Sequence, residues 1–240
     1  IMKKNNINHY EIVDSTNNEA IRHINSNSKT NWILADRQIS GKGRGDNKWE
    51  SPFGGLYCSH ILRDDNINHN HISQISIISS LIVLKTIIFF LNDSEVKAKW
   101  PNDILCNNKK ISGILINTLY KNDKMNIIIG IGINVLSQSL TKSNAQYSFM
   151  DTYNDKINVL DVFHKLIEEF NNIITKWDYG KNFNGLRDNW MKYAYKLGQE
   201  ITVKHNDEFI EGLFSNIDET GNLILKLNNK ILRFNTGEVF

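Results

Sequence analysis

The segment VKAKWPNDILCNNKKISGILINTLYKNDKMNIIIGIGINV, residues 96–135, consists of apolar runs separated by polar turns. Isoleucine, leucine and valine dominate the runs, while a proline, asparagines and lysines mark the breaks. Runs of this length and composition are typical of β-strands. The segment therefore predicts four strands, at residues 96–100, 104–106, 110–119 and 125–135.

Three more strands and a short helix are predicted in the first 62 residues. Residues 9–14 form a strand-like run, and Thr16 with a glutamate three positions later has the capping-box spacing that begins a helix, here to about residue 24. Residues 32–36 and 55–62 are strand-like and flank a long polar loop. Because functional residues concentrate on loops held by a rigid scaffold, this loop is a candidate part of a site.

Helical periodicity predicts further helices at residues 72–91, 159–177 and 183–195. The first is nearly apolar enough for a membrane span, but it contains Gln74, four serines and Lys85. A charge near the middle of a lone spanning helix costs roughly 3 kcal/mol. We therefore expect a core helix and no membrane association.

Beyond Gly198 the pattern changes to short alternating segments, typical of a small β-barrel or sandwich. The predicted strands are residues 201–204, 209–214, 223–227 and 231–234. We accordingly divide the chain into residues 1–195 and 196–240. A module of about 45 residues has little core of its own, so it is expected to pack on the larger domain.

The composition indicates a folded globular protein, since 240 residues with 40% hydrophobic content suffice for a sizeable core. The formal net charge of +2 gives no field that would indicate a nucleic-acid partner. Cys58 and Cys106 lack disulfide or metal spacing, which favours buried, reduced thiols and a cytoplasmic setting. The histidines show no metal-binding spacing, so we expect no histidine metal site.

Within the long loop, GKGRGDNKW at residues 41–49 combines glycines with cations. Glycines let a backbone approach a ligand closely, and clustered cations favour an anion such as phosphate. The spacing differs from that of a P-loop and from that of a dinucleotide fingerprint. Taken alone, the stretch fits a flexible basic surface loop about as well as a ligand site.

KWPND at residues 99–103 places a cation, an aromatic ring, an amide and a carboxylate at the junction of two predicted strands. Proline biases Trp100 to an extended backbone, and a turn then exposes Asn102 and Asp103. Glycines in the following strands would admit a flat ligand against the backbone. These glycines are Gly113, Gly130 and Gly132. The alternative is a simple strand-ending turn beside a glycine-bearing core.

Taken in order, these motifs resemble those of biotin protein ligases. They are DSTN (14–17), Gln38 with GKGRGDNKWESPFGGLYCS (41–59), KWPNDIL (99–105), KKISGIL (109–115) and GIGINV (130–135). The resemblance implies an α+β fold, in which a mixed β-sheet covered by helices, as in class II synthetases, is followed by an SH3-like β-barrel. Residues 1–195 would be the catalytic domain and 196–240 the SH3-like domain. No winged-helix segment precedes Asp14, which implies a monofunctional ligase without operator binding.

The resemblance also implies a reaction in two steps. Biotin and ATP give biotinyl-5'-AMP and pyrophosphate, and a lysine of a biotin carboxyl carrier domain then displaces AMP. The implied biotin-binding residues are Ser15, Thr16, Gln38, Gly41, Lys42, Lys110, Gly113, Gly130 and Gly132. The implied ATP and adenylate contacts are Lys42, Arg44, Trp49, Asn102, Lys110 and Asn134, with the Trp49 ring stacked on adenine.

Three residues are implied in catalysis. Arg44 would order the loop over the α-phosphate, and Lys110 would contact both the biotin carboxylate and that phosphate. Asp103 would face Mg²⁺. We further expect Asp103 to help deprotonate the incoming lysine, because that amine is charged at neutral pH.

The glycine-rich loop departs from the family pattern, which usually reads Gly-Arg-Gly-Arg-Arg-Gly-Arg. Lys42 replaces an arginine, and Gly45 and Asp46 stand where an arginine and a glycine are usual. Asn47 stands at the last arginine of the pattern and carries no positive charge. We expect Lys48 to substitute in part for the missing positive charge.

Two alternatives remain open at this level. A lipoate or octanoate ligase shares the fold and the carrier-lysine chemistry, although Gln38 and Trp49 favour the polar biotin ring. A noncatalytic binding module is the second alternative. A homodimer is expected by analogy only.

Overall fold

The computed structural model describes residues 5–91, 95–137, 146–206, 208–228 and 230–240. Over these residues the strands form one sheet of seven strands and one of five. The larger sheet contains β1 (Ile7–Val13), β2 (Trp32–Gln38), β3 (Leu56–Arg63), β4 (Val96–Lys99), β5 (Asp103–Cys106), β6 (Lys109–Lys121) and β7 (Lys124–Ile133). Each of these strands is predicted from the sequence, with ends that differ by at most two residues.

The larger sheet is mixed, which confirms the fold class that the family resemblance implies. Its strand order is β1-β2-β3-β7-β6-β5-β4. β1 and β2 are parallel, and α1 (Thr16–Asn25) lies in the connection between them. The other neighbours are antiparallel. Because an antiparallel pair needs only a short turn, β4 to β7 follow one another with brief connections.

Helices cover both faces of the larger sheet. α1 packs on one face, against Ile33, Ile61 and Ile128. Side chains alternate between the faces of a strand, so Trp32 and Leu34 point into the core on the other face. The helices of that core are α2 (Ile72–Phe90), α3 (Val159–Trp177) and α4 (Phe183–Met191).

The prediction that α2 is a core helix is confirmed. In the described part of the chain, His69–Phe90 is the one helical segment long and apolar enough to cross a membrane, and 61% of its most apolar window is buried within the protein. Two of its buried polar side chains have partners in other helices. Trp177 Nε1 donates to Gln74 Oε1 at 2.9 Å, and Trp190 Nε1 donates to Ser80 Oγ at 3.0 Å.

The smaller sheet is antiparallel, in the order β11-β10-β9-β8-β12, and is consistent with an SH3-like domain. It contains β8 (Glu200–His205), β9 (Glu208–Ile217), β10 (Leu223–Leu227), β11 (Lys230–Phe234) and β12 (Glu238–Val239). As expected, this sheet packs on the larger unit, where Gln74 Nε2 donates to the carbonyl oxygen of Glu219 at 2.9 Å. Ile201 and Phe214 belong to the same apolar core as α2.

The predicted helix at 183–195 is too long at its carboxyl end. α4 ends at Met191, because the following residues bind the edge strand β4. The backbone N–H of Ala98 donates to Tyr193 O at 2.8 Å, and the N–H of Tyr195 donates to Ala98 O at 2.9 Å. Pairing with the sheet therefore replaces the last helical turn.

Both cysteines lie in the core. Cys58 and Cys106 are fully buried, as expected from their spacing. Burial raises the pKa of the Cys58 thiol well above its ordinary value, so this thiol stays protonated at neutral pH.

Candidate active site

A cavity of about 530 Å³ lies where the larger and smaller sheets meet. Its walls are the start of α1, the glycine-rich loop at 41–49, the turn at 100–103, the glycine-bearing parts of β6 and β7, and residues of β8 and β12. The sequence-predicted site residues line this cavity, with the exceptions of Gly41 and Asn134. Segments far apart in the chain are thus brought together in one place.

A hydrogen-bonded polar cluster forms the wall at the start of α1. Gln38 Oε1 accepts from the Thr16 backbone N–H at 2.8 Å and from the Thr16 hydroxyl at 3.1 Å. Gln38 Nε2 donates to Ser51 Oγ at 2.7 Å. Ser15, the N-cap residue of α1, is 1% exposed and makes no side-chain capping bond. The residues predicted to hold the biotin head therefore lie together at this wall.

The glycine-rich loop folds back on itself as a tight hairpin. The Gly43 N–H donates to Asn47 O at 2.8 Å, and the Trp49 N–H donates to Gly41 O at 2.9 Å. A Cβ on Gly41 would lie 2.4 Å from Trp49 O, so a larger residue does not fit there. Gly41 thus shapes the loop from behind and does not line the cavity.

Arg44 ties the loop to the smaller sheet. Its guanidinium donates to the carbonyl oxygen of Gly237 at 2.7 Å, to Thr236 Oγ1 at 3.0 Å and to Asn102 Oδ1 at 3.3 Å. Burial lowers the pKa of Arg44 from its ordinary value, while nearby carboxylates act in the opposite direction. An arginine remains charged in either case. The loop cation is therefore held at the junction of the two sheets.

Lys110 and Asp103 form an ion pair in the cavity, with Lys110 Nζ 2.8 Å from Asp103 Oδ1. The backbone of Lys110 is fixed from behind by Asn134. Asn134 Nδ2 donates to Lys110 O at 3.4 Å and to Ser148 O at 3.2 Å. Asn134, a predicted adenylate contact, thus lies outside the cavity lining and supports the strand that carries Lys110.

The Trp49 indole lies on the glycines of the sheet. A Cβ on Gly132 would be 2.5 Å from Trp49 Nε1, and one on Gly113 would be 2.8 Å from Trp49 Cζ3. Lys110 Nζ lies 5.4 Å from the ring centroid, within cation–π range. The glycines therefore create the space that this ring fills, and stacking of the ring on adenine stays a prediction.

Positive charge dominates the cavity. Its cations are Lys42, Arg44, Lys48, Lys99, Lys110 and Lys204, and its carboxylates are Asp103 and Glu238. Burial lowers the pKa of Lys99 from its ordinary value, while the attraction of the two carboxylates opposes this shift. An excess of one charge in a partly desolvated cleft concentrates ligands of the opposite charge. The cavity is therefore suited to a polyanion such as a nucleotide.

Several lining residues are missed by the sequence reasoning. Asn17 and Lys99 lie inside the motifs that carry the resemblance, and their position there was the available signal. Lys204, Asn206 and Glu238 come from the smaller sheet. No local pattern connects these three residues with a loop far earlier in the chain.

Replacing Gly132 with alanine is expected to weaken biotin binding by roughly tenfold or more, since overpacking costs about 1–3 kcal/mol. The added methyl group would overlap the Trp49 indole and displace it. Isothermal titration calorimetry with biotin would measure the change. Gly185→Ala is the control, because a Cβ there meets nothing within 4 Å. An unchanged Kd for Gly132→Ala would show that the indole moves aside without cost.

Lys48 lines the cavity but is exposed, so its contribution is expected to be small. For Lys48→Ala we expect the KM for ATP to rise about threefold, as for a solvent-screened charge, with biotin affinity unchanged. Lys109→Ala provides the control, since Lys109 is exposed and lies outside the cavity lining. If both variants show the wild-type KM for ATP, Lys48 does not substitute for the missing arginine.

Comparisons with known proteins agree with this geometry. A family profile described as "Biotin/lipoate A/B protein ligase family" matches residues 10–134, and one described as "Biotin protein ligase C terminal domain" matches residues 196–240. The bifunctional ligase/repressor BirA of Escherichia coli is 28% identical over 95% of this chain and 71% of its own length. The biotin–[acetyl-CoA-carboxylase] ligase of Paracoccus denitrificans is 26% identical over 89% of this chain and 91% of its own.

The fold is also that of a solved ligase. The structure of a biotin protein ligase from Aquifex aeolicus in complex with biotin and ATP superposes with a TM-score of 0.84. It is 26% identical, and the match covers 99% of this chain and 98% of that one. The fold and the cavity thus define a protein-modifying ligase. The chain belongs to the biotin/lipoate A/B protein ligase family and, by its carboxy-terminal domain, to the biotin protein ligases within it.

Proposed function

We propose that this protein activates biotin with ATP as biotinyl-5'-AMP and transfers the biotinyl group to a lysine of a biotin carboxyl carrier domain. The observation that carries the proposal is the single cavity that unites the polar cluster at Thr16, the cationic loop at Arg44 and the amine of Lys110. The polar cluster would bind the biotin head, and Arg44 and Lys110 would face the negative charge that develops at phosphorus.

In the first step, an oxygen of the biotin carboxylate attacks the α-phosphorus of ATP, and the bond from that phosphorus to the bridging oxygen of pyrophosphate breaks. Two anionic groups must approach each other, so stabilisation of negative charge is the main requirement. Lys110 is a cavity amine suited to this task, because its backbone is fixed by the sheet and by Asn134. Arg44 supplies a second fixed charge.

The residues present are compatible with Mg²⁺ held mainly by phosphate and water. Among the described residues, no group of three or more His, Cys, Asp or Glu could form a metal cage. Mg²⁺ usually binds through one or two carboxylates together with substrate phosphates, where it neutralises charge. Asp103 lines the cavity and would be the protein ligand.

In the second step, the ε-amine of the carrier lysine attacks the acyl carbon, and AMP leaves. The amine must first lose a proton, since its ordinary pKa is about 10.4. Asp103 lines the cavity, with its Oδ1 2.8 Å from Lys110 Nζ, so a carboxylate oxygen is available at the site to accept a proton. This arrangement supports the role of Asp103 as a general base.

The alternatives from the sequence are less well supported. The Paracoccus denitrificans relative and the Aquifex aeolicus structure are both named as biotin ligases, so a lipoate or octanoate ligase is not favoured. The match to a family of ligases and the charged cavity also disfavour a noncatalytic module. The carrier is expected to belong to an acetyl-CoA carboxylase or a related enzyme, in a cytoplasmic setting. A homodimer and the lack of a nucleic-acid partner stay predictions.

Biotin-dependent exchange between ATP and labelled pyrophosphate tests the first step, and labelled biotin transfer to a purified carrier domain tests the second. Lipoate in place of biotin is the matched control. We expect exchange and transfer with biotin and little of either with lipoate. Exchange that depends on lipoate alone, or no exchange with either acid, would contradict the proposal.

A further inference from the structure

A buried hydroxyl lies directly behind the polar cluster. Ser59 in β3 is 0% exposed, and its Oγ lies 2.8 Å from Thr16 Oγ1 and 2.6 Å from Asn17 Oδ1. Asn17 Nδ2 donates in turn to Asn117 Oδ1 in β6 at 2.8 Å. A continuous series of side-chain hydrogen bonds therefore runs from β6 through β3 to Thr16 at the cavity wall.

The sheet is shaped to hold this series. The Asn17 side chain lies over Gly130 of β7, where a Cβ would be 2.2 Å from Asn17 Oδ1. A residue larger than glycine would therefore push the amide away from Ser59. The absence of a side chain at position 130 thus permits the contact between α1 and the sheet.

The opposite side of Thr16 has a fixed polarity as well. Ser51 Oγ donates its one proton to Trp49 O at 2.9 Å. The group of Gln38 that meets Ser51 Oγ must then be the amide nitrogen, which donates at 2.7 Å. This leaves Gln38 Oε1, a pure acceptor, facing the backbone N–H and hydroxyl of Thr16.

These contacts decide where the Thr16 hydroxyl proton lies. It can point to Gln38 Oε1 or to Ser59 Oγ, and both are inside the protein. If Ser59 donates its proton to Thr16, the Thr16 proton points to Gln38. If Ser59 donates instead to Asn17, the Thr16 proton points to Gln38 or to Ser59, and both acceptors lie inside the protein. The Thr16 oxygen therefore meets a ligand in the cavity as an acceptor.

We propose that Ser59 is a positioning residue that holds the Thr16 hydroxyl as an acceptor and thereby selects ligand rings that carry an N–H group. This inference rests on the proposed function. The cyclic urea of biotin carries such N–H groups, whereas the dithiolane ring of lipoate has none. A ring without a donor leaves the remaining lone pair of the Thr16 oxygen without a hydrogen bond in a desolvated wall, which disfavours the binding of that ring. Ser59 thus contributes to discrimination without touching the ligand.

Ser59→Ala tests the inference by calorimetric titration with biotin. We expect biotin to bind roughly 10- to 50-fold more weakly, because the Thr16 hydroxyl loses its hydrogen bond to Ser59 and Asn17 Oδ1 loses its donor. The ratio of the Kd for lipoate to the Kd for biotin should fall by a similar factor. The KM for ATP and the rate of transfer from preformed biotinyl-5'-AMP at saturation should stay at wild-type values, since Ser59 does not reach the nucleotide.

A double-mutant cycle distinguishes positioning from a general structural effect. If Ser59 acts through Thr16, the Ser59→Ala change should add little to the loss already caused by Thr16→Val. Ser80→Ala is the matched control, since Ser80 is equally buried, accepts a hydrogen bond from Trp190 and lies away from the cavity. It should lower the melting temperature without changing the Kd for biotin.

The outcomes separate this inference from the proposed function. Wild-type protein that does not bind biotin would overturn the proposed function itself. Wild-type binding with a normal Kd in Ser59→Ala, or fully additive losses in the cycle, would overturn the positioning role alone. Should Ser59→Ala fail to fold, Ser59→Cys keeps the shape with a weak donor and is expected to give an intermediate Kd. A wild-type Kd in that variant would also count against the inference.

Discussion

Lys110→Ala is expected to lower the rate of biotinyl-5'-AMP formation by roughly a thousandfold or more, with biotin binding only moderately weaker. The reason is that the proposed mechanism places the Lys110 amine beside the biotin carboxylate and the α-phosphate as they react, and no other lysine of β6 lines the cavity. Pyrophosphate release under saturating biotin and ATP measures the rate, and titration calorimetry measures the Kd for biotin.

The chain offers a matched control for this variant. Lys124 Nζ lies 2.6 Å from Asp65 Oδ2 in an exposed ion pair outside the cavity lining. Lys124→Ala therefore removes a comparable pair without touching the site, and it should leave both measurements unchanged. Near-normal turnover of Lys110→Ala would refute the role given to this amine.

Asp103→Asn is expected to slow transfer from preformed biotinyl-5'-AMP to the carrier lysine by roughly a hundredfold, the lower end of general-base contributions. Asparagine keeps the size of the side chain but cannot accept the proton. Single-turnover transfer of labelled biotin, with the adenylate supplied, isolates this step from activation. Unchanged transfer would rule out Asp103 as the base.

The pH dependence separates base catalysis from charge stabilisation. A carrier lysine has an ordinary pKa of about 10.4. Below that value, the fraction of neutral amine grows about tenfold when the pH rises by about one unit. The deficit of Asp103→Asn in the transfer step should therefore shrink as the pH rises from neutral to alkaline. A deficit that is constant with pH would point to a role in binding Mg²⁺ instead. Asp65→Asn, in the exposed pair, is the control.

The larger sheet was predictable because its strands carry local signals. Apolar runs of β-branched residues and asparagine-rich turns define β4 to β7 within a few residues. The parallel pairing of β1 with β2 and the two-residue strand β12 have no such signal. Both depend on tertiary packing, which alternation along the chain does not encode.

The individual site residues were predictable from the sequence, but their contacts with distant parts of the chain were not. The motifs gave Thr16, Arg44 and Lys110, which line the same cavity. They did not show that Arg44 binds the smaller sheet or that Asn134 supports Lys110 from behind. A side chain's partner across the fold depends on register and docking, whereas its residue type depends on the motif alone.

The contact of Arg44 with Gly237 joins residues separated by 193 positions. Such a bond can form only after the five-stranded sheet has docked, because closing so large a segment is entropically unfavourable until other contacts hold its ends. Completion of the proposed phosphate-binding region at Arg44 is thus expected to be a late event in folding. Catalytic competence reports on the assembly of the whole chain, and a partly folded molecule with an intact central sheet would still lack its full set of fixed charges.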